Sequence, residues 1–366
     1  MCARRTFSIV IALALTGASL LSAGNGSSAD APGAVYALTN APSGNAVVVY
    51  NRGADGSLTP AGAYPSGGTG TGAGLGSQDA VIVTADHRLL FAVNPGGDSI
   101  SSFRIHSGGL ELIDTAPSGG TMPTSVTFRA GLLYVLNAGV PNSVSGFTVS
   151  PAGKLTPLIG STRPLSGAST SPAQVGFSDD GATLIVTERA ADIIDTYSID
   201  EQGFLTGPFV HASAGPTPFG FAVDKRNTVL VSEAGGGGGA SSYRVDAASG
   251  LEPISSAIMT GQRAACWAIV TTNGRYGYVT NAGTGNISGF AIDQEGSVSL
   301  LDADGITAVT GGNPTDIAIS QDSRFLYARV SALSQIAVFR IGSDGSLRPL
   351  PPLTGTPDGL AGLAGF

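Results

Sequence analysis

The polar and apolar positions of this chain repeat one pattern seven times. Each copy holds an apolar stretch with an aromatic residue near its end, and a turn containing glycine follows a few residues later. Successive copies are roughly 45–50 residues apart, which is the period of a β-propeller built from short strands. We therefore predict an all-β fold, a seven-bladed β-propeller. The repeated aromatic residues are Tyr50, Phe103, Phe147, Tyr197, Tyr243, Phe290 and Phe339.

The fourth copy shows the strands of one blade most clearly. Its four strand-like segments read SPAQVGFS, TLIVTE, IDTYSI and FLTGPFVH, and their β-branched residues favour strands. Polar turns that contain glycine separate these segments at residues 179–181 and 201–203. This order predicts four-stranded antiparallel blades.

The two ends of the chain complement each other. The first copy begins at its second strand, VYALTN, and a surplus segment near the C-terminus, TPDGLAGLA, resembles a first strand. We predict that this C-terminal strand completes the first blade, because closing the ring removes an exposed sheet edge. Residues 32–366 would then form a single propeller domain.

Residues 1–31 have the features of a secretory signal peptide. Arg4 and Arg5 precede an apolar segment, Phe7–Ala18, that is too short for a stable membrane anchor, and Ala29 and Ala31 resemble a cleavage site. We therefore expect a secreted or periplasmic monomer without membrane attachment after cleavage. An uncleaved anchor is the alternative.

Composition argues against one class of partner. Only 12% of the residues are charged and the net charge is −8. Nucleic-acid-binding proteins use clustered Lys and Arg to neutralise phosphates, so we expect no nucleic acid to bind.

The strand patterns resemble those of the lactonase family, which includes 6-phosphogluconolactonase-type propellers and fungal carboxymuconate cyclases. The first strands follow xPxxxxFSxDG and the second strands follow LYVxN, and the resemblance covers residues 35–366. It implies a seven-bladed propeller whose first blade is closed by the C-terminal strand. It also implies lactone chemistry around the central tunnel.

In the cyclase branch, the resemblance implies a His as acid/base, an Arg that binds a carboxylate, and a Glu. The His position falls on Ala173 and the Arg position falls on Thr217, whereas the Glu is retained as Glu233. Alanine cannot transfer a proton and threonine cannot pair with a carboxylate. The protein is therefore either a weak or inactive relative, or it uses other residues of the ring.

Equivalent positions of the repeats predict which side chains surround the tunnel mouth. We predict that Glu188 and Glu233 act as catalytic bases, because they end the second strands of adjacent blades. The alternatives are solvated or loop-bonded carboxylates, or a Ca²⁺ or Mg²⁺ site. We expect no zinc site and no cofactor, because the His residues are scattered. The predicted substrate-binding residues are Arg189, Arg263, Asn94, Asn137 and Asn281.

Two functions stay open from the sequence. The first is an enzyme that hydrolyses or cyclises a lactone of a sugar-derived or dicarboxylic acid at the tunnel mouth, with a small-molecule lactone or sugar acid as its partner. The alternative is a non-catalytic propeller that binds a ligand or a protein partner. Export fits poorly with a phosphorylated cytosolic sugar as the substrate.

Overall fold

The chain folds into seven antiparallel sheets. A computed structural model describes residues 33–246 and 250–366, and the predicted signal peptide lies outside the described residues. The inner strands of the sheets contact one another in a closed ring. The predicted seven-bladed propeller is therefore confirmed, and among the described residues no helix is long and apolar enough to cross a bilayer.

Blades are numbered along the chain, and the strands of each blade are called inner, second, third and outer from the axis outwards. In blade order, the inner strands are Ala361–Gly365, Val81–Val83, Pro123–Arg129, Pro172–Phe177, Pro218–Val223, Ala265–Val270 and Pro314–Ile319. The second strands are Gly33–Leu38, Leu89–Asn94, Leu132–Asn137, Thr183–Glu188, Thr228–Glu233, Tyr276–Asn281 and Phe325–Val330.

The third and outer strands complete each blade. In the same order, the third strands are Ala46–Arg52, Ser99–His106, Ser143–Val149, Ile193–Ile199, Gly239–Val245, Asn286–Ile292 and Gln335–Ile341. The outer strands are Leu58–Pro65, Gly109–Pro117, Leu155–Pro157 with Arg163–Pro164, Leu205–Ala212, Leu251–Met259, Val298–Leu300 with Ala308–Val309, and Leu347–Thr354. A short 3₁₀ turn covers Ser331–Leu333.

The C-terminal strand closes the ring as predicted. Ala361–Gly365 pairs antiparallel with Gly33–Leu38, and Val35 lies opposite Gly365. The Arg52 side chain donates a hydrogen bond from Nε to the Phe366 carbonyl oxygen at 3.0 Å. The first blade thus obtains its inner strand from the far end of the chain.

The repeated pattern has a packing explanation. All seven repeated aromatic residues lie in third strands and are buried. Tyrosines of three second strands also reach the next blade, where each donates to a turn glycine that has a left-handed φ, a conformation that favours glycine. These bonds join Tyr134 to Gly203, Tyr278 to Gly345 and Tyr327 to Gly56 through the glycine carbonyl oxygens.

One face of the ring carries the ends of the second strands and the starts of the inner strands. In blade 4, for example, Pro172 at the start of the inner strand lies opposite Glu188 at the end of the second strand. We call this the upper face. A register irregularity follows Pro172, and similar irregularities occur near the starts of inner strands in other blades. Each inserts one extra residue into the inner strand, as a β-bulge does.

Candidate functional site

The three predicted substrate-binding amides hold strands together. They lie at second-strand ends on the upper face and are fully buried. Each donates to a serine hydroxyl of the adjacent third strand. The bonds are Asn94 Nδ2 to Ser101 Oγ at 2.7 Å, Asn137 Nδ2 to Ser145 Oγ at 3.1 Å and Asn281 Nδ2 to Ser288 Oγ at 2.8 Å.

Glu233 occupies the equivalent place in blade 5 and has its own set of partners. It is 1% exposed, and the Ser213 hydroxyl donates to Oε1 at 3.1 Å or Oε2 at 3.3 Å. Burial raises the pKa of Glu233 to about 7, against the lowering effect of Ser241, Ser213 and the Gly215 amide. This carboxyl is therefore bonded within its own blade and the loop that precedes it.

Glu188 belongs to a different cluster in blade 4. The Ser166 hydroxyl donates to Glu188 Oε2 at 2.8 Å, and the Ser166 amide donates to both Glu188 Oε1 at 3.2 Å and Asp195 Oδ2 at 2.8 Å. Burial, followed by the hydrogen bond and charge of Glu188, raises the pKa of Asp195 to about 9. Two carboxyls thus share one site, and the raised pKa of Asp195 keeps it protonated at neutral pH beside Glu188. Glu188 and Glu233 do not meet in one pocket, and their predicted catalytic role stays a prediction.

The two predicted arginines are also separated. Arg189 donates from Nε to the Ser171 carbonyl oxygen at 2.9 Å, and its guanidinium lies 5.1 Å from the Phe219 ring centre. It also lies against Gly76, at the edge of the axial cavity described below. Arg263 is exposed and donates to the Gly283 carbonyl oxygen at 3.0 Å. Only Arg189 thus lies beside the tunnel mouth.

The strand register changes one of the family-implied positions. Pro172 lies opposite Glu188 and Pro218 lies opposite Glu233, so Thr217 precedes the start of its inner strand. Counting from these prolines, the residue of blade 5 that corresponds to Ala173 is Phe219, and the placement of Thr217 as its equivalent is wrong. The prolines are the correct anchor because the register irregularity follows them. Neither Ala173 nor Phe219 can transfer a proton.

An axial cavity opens on the upper face between blades 1, 6 and 7. Its volume is about 610 Å³, within the range that suits small-molecule sites. One wall is the segment Gly74–Ser77, which runs from blade 1 to blade 2, and Trp267 of blade 6 lies beside it. The indole Nε1 donates to the Ser77 carbonyl oxygen at 2.9 Å. Asp316 and Arg329 supply the buried charges of the cavity.

Asp316 and Arg329 form the chemically distinctive part of this cavity. The Ile317 amide donates to Asp316 Oδ1 at 2.8 Å, while Oδ2 is buried without a hydrogen-bond partner among the described residues. Arg329 donates from Nη1 to Thr315 Oγ1 at 2.6 Å. No ion pair within 4.0 Å joins the two charged groups, although each influences the other. A ligand atom or a water molecule could therefore contact both.

Burial shifts the ionisation of both groups. It raises the pKa of Asp316 well above its usual value, the charge of Asp79 raises it further, and Arg329 lowers it. Burial likewise lowers the pKa of Arg329, which the charge of Asp316 raises. A carboxyl with a raised pKa beside a guanidinium is a combination that can move a proton and bind a polarised oxygen.

Sequence reasoning missed Asp316 and Arg329, although both interrupt the repeat. Arg329 occupies the next-to-last position of its second strand, where other blades carry Val93, Leu136, Thr187, Ser232 and Thr280. Asp316 is the one acid in the inner strand Pro314–Ile319, whose other residues are uncharged. Both would have been found by a search for positions that are charged in one repeat and uncharged in the equivalent places of the other repeats.

No metal centre emerges from the part of the chain that the structure describes. Residues 33–246 and 250–366 contain no group of three or more His, Cys, Asp or Glu side chains that could hold a metal ion. Asp316 is flanked by a guanidinium, which disfavours a cation at the same place.

Comparison with known proteins relates this chain to a family. Residues 34–163, 140–267 and 253–353 match the model of the family described as lactonase, 7-bladed beta-propeller. No curated protein matches the chain in sequence.

Solved structures share the fold over almost their whole length. The periplasmic gluconolactonase of Pseudomonas aeruginosa superposes with a TM-score of 0.73 at 21% identity, covering 90% of this chain and 98% of that chain. A Bacteroides fragilis protein, provisionally assigned as a 6-phosphogluconolactonase, gives a TM-score of 0.72 at 19% identity, with 91% and 98% covered. At these identities the likeness shows the fold alone. Because the family model matches most of the sequence, the chain belongs to the lactonase family of seven-bladed β-propellers.

Proposed function

We propose that this protein hydrolyses a lactone in the axial cavity of the upper face. The observation that carries the proposal is the buried, unpartnered Oδ2 of Asp316 beside Arg329 in a cavity of about 610 Å³. Membership of the lactonase family supports the same reaction class. The carboxyl of Asp316 in blade 7 would take the role of the acid/base His that the family resemblance implies at Ala173 in blade 4.

Asp316 would act as the general base. Its ionised Oδ2 takes a proton from a water molecule, whose oxygen attacks the lactone carbonyl carbon. The bond between that carbon and the ring oxygen then breaks, and Asp316 returns the proton to the ring oxygen. One water is consumed and the product is a hydroxy acid. The raised pKa of Asp316 makes its ionised form a stronger base than an ordinary aspartate.

Arg329 would stabilise the negative charge that develops on the carbonyl oxygen. One of its N–H groups is held by Thr315, and the structure describes no other hydrogen bond of this guanidinium. The remaining donors are therefore available to a substrate. A fixed donor in a water-poor cavity stabilises a transition-state oxyanion more strongly than water does.

The charges of the cavity favour an unphosphorylated sugar lactone. Arg329 is opposed by Asp316 and, at the cavity edge, by Asp358. Among the residues that line the cavity, a phosphate dianion would meet two acidic groups for one guanidinium, with Arg189 lying outside the lining behind Gly76, whereas an uncharged aldonolactone would meet no such opposition. The name of the Pseudomonas aeruginosa protein, a periplasmic gluconolactonase, fits the same substrate class.

Two measurements on the purified protein test the proposal. The first is hydrolysis of a panel of unphosphorylated aldonolactones, each corrected for spontaneous ring opening. The second is a fluorescence titration with the same compounds, since Trp267 is the single tryptophan of the chain and lines the cavity. We expect saturable hydrolysis, and a fluorescence change that saturates over the same concentration range. Folded protein that leaves every lactone at its spontaneous rate would overturn the proposal.

A second candidate function is ligand binding without turnover. It is favoured by Ala173, which stands where the family resemblance implies the acid/base His, and which is fully buried. Under this alternative, a lactone or its hydroxy acid changes the Trp267 fluorescence but no hydrolysis exceeds the background. The paired measurements above therefore separate the two candidates.

A further inference from the structure

The axial cavity has a floor made of side chains that cross the tunnel. Gln78 reaches from blade 2 to blade 6, where Nε2 donates to the Ala268 carbonyl oxygen at 2.8 Å and Oε1 accepts from the Ala268 amide at 3.0 Å. Gln174 of blade 4 accepts from the Phe221 amide at 2.5 Å and donates to Asp79 Oδ2 at 2.6 Å. Asp79 is thus fixed at the level of the floor.

Asp79 contacts the space below this floor. A second axial cavity of about 220 Å³ is lined by Asp79, Gln78 and apolar residues of the inner strands, including Ile317. Ile317 directly follows Asp316, which lines the upper cavity. The two aspartates therefore lie at the boundary between the upper and the lower cavity.

The backbone around Asp79 is unusual. Its φ is 62°, a left-handed conformation that is uncommon for residues other than glycine, and the Val126 amide donates to its carbonyl oxygen at 2.9 Å. Strained backbone of this kind persists where the surrounding structure enforces it, and functional sites are enriched in it. The strain, together with the Gln174 bond, holds the carboxyl towards the axis.

Blade 1 allows the two carboxyls to interact. Its inner strand lies between the inner strands of blades 7 and 2, and it carries Gly362 at the level of the aspartates. A Cβ atom on Gly362 would lie 2.8 Å from Val81 Cγ1 and 3.1 Å from the Val81 amide nitrogen. The missing side chain therefore lets blades 1 and 2 pack closely. The charge of Asp79 reaches Asp316 across this narrow strand.

We propose that Asp79 is a positioning residue that controls when Asp316 loses its proton. The coupling between the two carboxyls does not depend on the proposed function, whereas its effect on catalysis rests on that function. Asp79 faces Asp316 from the blade 2 side, and Arg329 faces it from the second strand of its own blade. The Gly362 amide faces it from blade 1. Asp358 lies at the edge of the same cavity. Asp79 is half-buried whereas Asp358 is exposed, so Asp79 is the less solvated negative charge facing Asp316 and its removal should make Asp316 easier to ionise.

The direction of the effect follows from the two carboxyls. Burial raises the pKa of Asp79 to about 7, and the Gln174 hydrogen bond lowers it. Once Asp79 is ionised, its charge opposes ionisation of Asp316 and raises the pKa of Asp316. In Asp79→Asn this opposition is absent, while the asparagine carbonyl can still accept the bond from Gln174. The pKa of Asp316 should then fall.

A pH titration of Trp267 fluorescence tests the inference without relying on catalysis. Trp267 and Asp316 line the same cavity, so ionisation of Asp316 should change the emission of the single tryptophan. We expect a transition in the wild-type protein that is absent from Asp316→Asn. In Asp79→Asn it should move to lower pH by about one pH unit. Asp322→Asn is the matched control, since Asp322 lies in the exposed turn at the other end of the same hairpin.

A transition at the wild-type pH in Asp79→Asn, or no transition that depends on Asp316, overturns the inference. The pH profile of kcat/KM provides a second readout: its acidic limb should move to lower pH in Asp79→Asn by the same amount. If no lactone is hydrolysed but the fluorescence transition moves as expected, the proposed function fails and the coupling between the aspartates stands.

Discussion

Glu233 and Asp316 are buried carboxyls on the same face of the ring, and they differ in what surrounds them. Ser213 donates to Glu233, and its other polar neighbours include Ser241 of its own blade, the Gly215 amide in the preceding loop and Asp192 of blade 4. Asp316 has one oxygen without a partner and borders a cavity of about 610 Å³. Burial raises the pKa of both. A raised pKa therefore does not distinguish the two; spare hydrogen-bonding capacity and access to a ligand do.

The blades show how the same position can serve the fold in different ways. Asn94, Asn137 and Asn281 donate to serines at the position where blade 4 has Asp195. In blade 4 the third strand instead places Asp195, whose pKa is raised by burial and by Glu188, beside the Glu188 carboxyl. Asn137 Oδ1, Asn281 Oδ1 and Asp195 Oδ1 are buried without a partner in the described part of the chain, as Asp316 Oδ2 is, but of these residues only Asp316 lines the axial cavity.

Apart from loss of the general base, the largest predicted effect concerns the two arginines. Arg329→Met should lower kcat/KM by about 10²–10³-fold, because it removes the cation that stabilises the oxyanion. Arg263→Met, which the sequence-based prediction would place in the same role, should cause no comparable loss, since Arg263 is exposed and bonded to Gly283. Steady-state kinetics of both variants on one aldonolactone decide between them. Equal losses would contradict the assignment of the cation to blade 7.

An intermediate effect is expected for the strand-end amides. Asn281→Ala removes bonds to Asn286 Oδ1 at 2.7 Å and to Ser288 Oγ at 2.8 Å inside the protein. It should lower the free energy of unfolding by about 1–3 kcal/mol. Denaturant unfolding measures this change, with Asn51→Ala as the control because Asn51 is exposed. Wild-type stability in Asn281→Ala would argue against a structural role.

The smallest effect is a change in how stability depends on pH. The pKa of Asp195 rises from 3.8 to about 9 in the folded protein, so the folded state binds an extra proton between these values and its stability falls as pH rises through them. Asp195→Asn removes this titration. The variant should therefore lose less stability than the wild type between pH 6 and pH 9, by about 1 kcal/mol or more. Thermal unfolding of both proteins at both pH values would refute the raised pKa of Asp195 if the two proteins lost stability in parallel.

The fold was predictable from the sequence because each blade repeats its packing. The aromatic residues of the third strands are buried, and tyrosines of the second strands bond to turn glycines of the next blade, so the spacing of the aromatic residues and the glycines defines the blades. Ring closure was predictable because one end of the chain lacks a strand that the other end supplies.

The site was harder to predict, because side chains alternate along a strand. Glu188, the last residue of its second strand, points into its blade, whereas the preceding Thr187 donates to the Phe219 carbonyl oxygen of the next inner strand at 2.5 Å. Arg329 has the same position as Thr187. Choosing the last residue of a second strand instead of the next-to-last one therefore selects a side chain on the opposite face of the sheet. The register irregularities shift the equivalent positions of the inner strands in a similar way, so that Phe219 and not Thr217 corresponds to Ala173.

The most direct test of the central claim is the kcat/KM of Asp316→Asn and Glu233→Gln on the same aldonolactone, with both variants shown to be folded. Each change replaces a buried carboxyl on the upper face by its amide. The account predicts a fall of about 10²–10⁴-fold for Asp316→Asn, as expected on removal of a general base. It predicts no comparable fall for Glu233→Gln. A wild-type rate in Asp316→Asn, with activity lost in Glu233→Gln, would contradict the account and move the site from the axis to the end of the second strand.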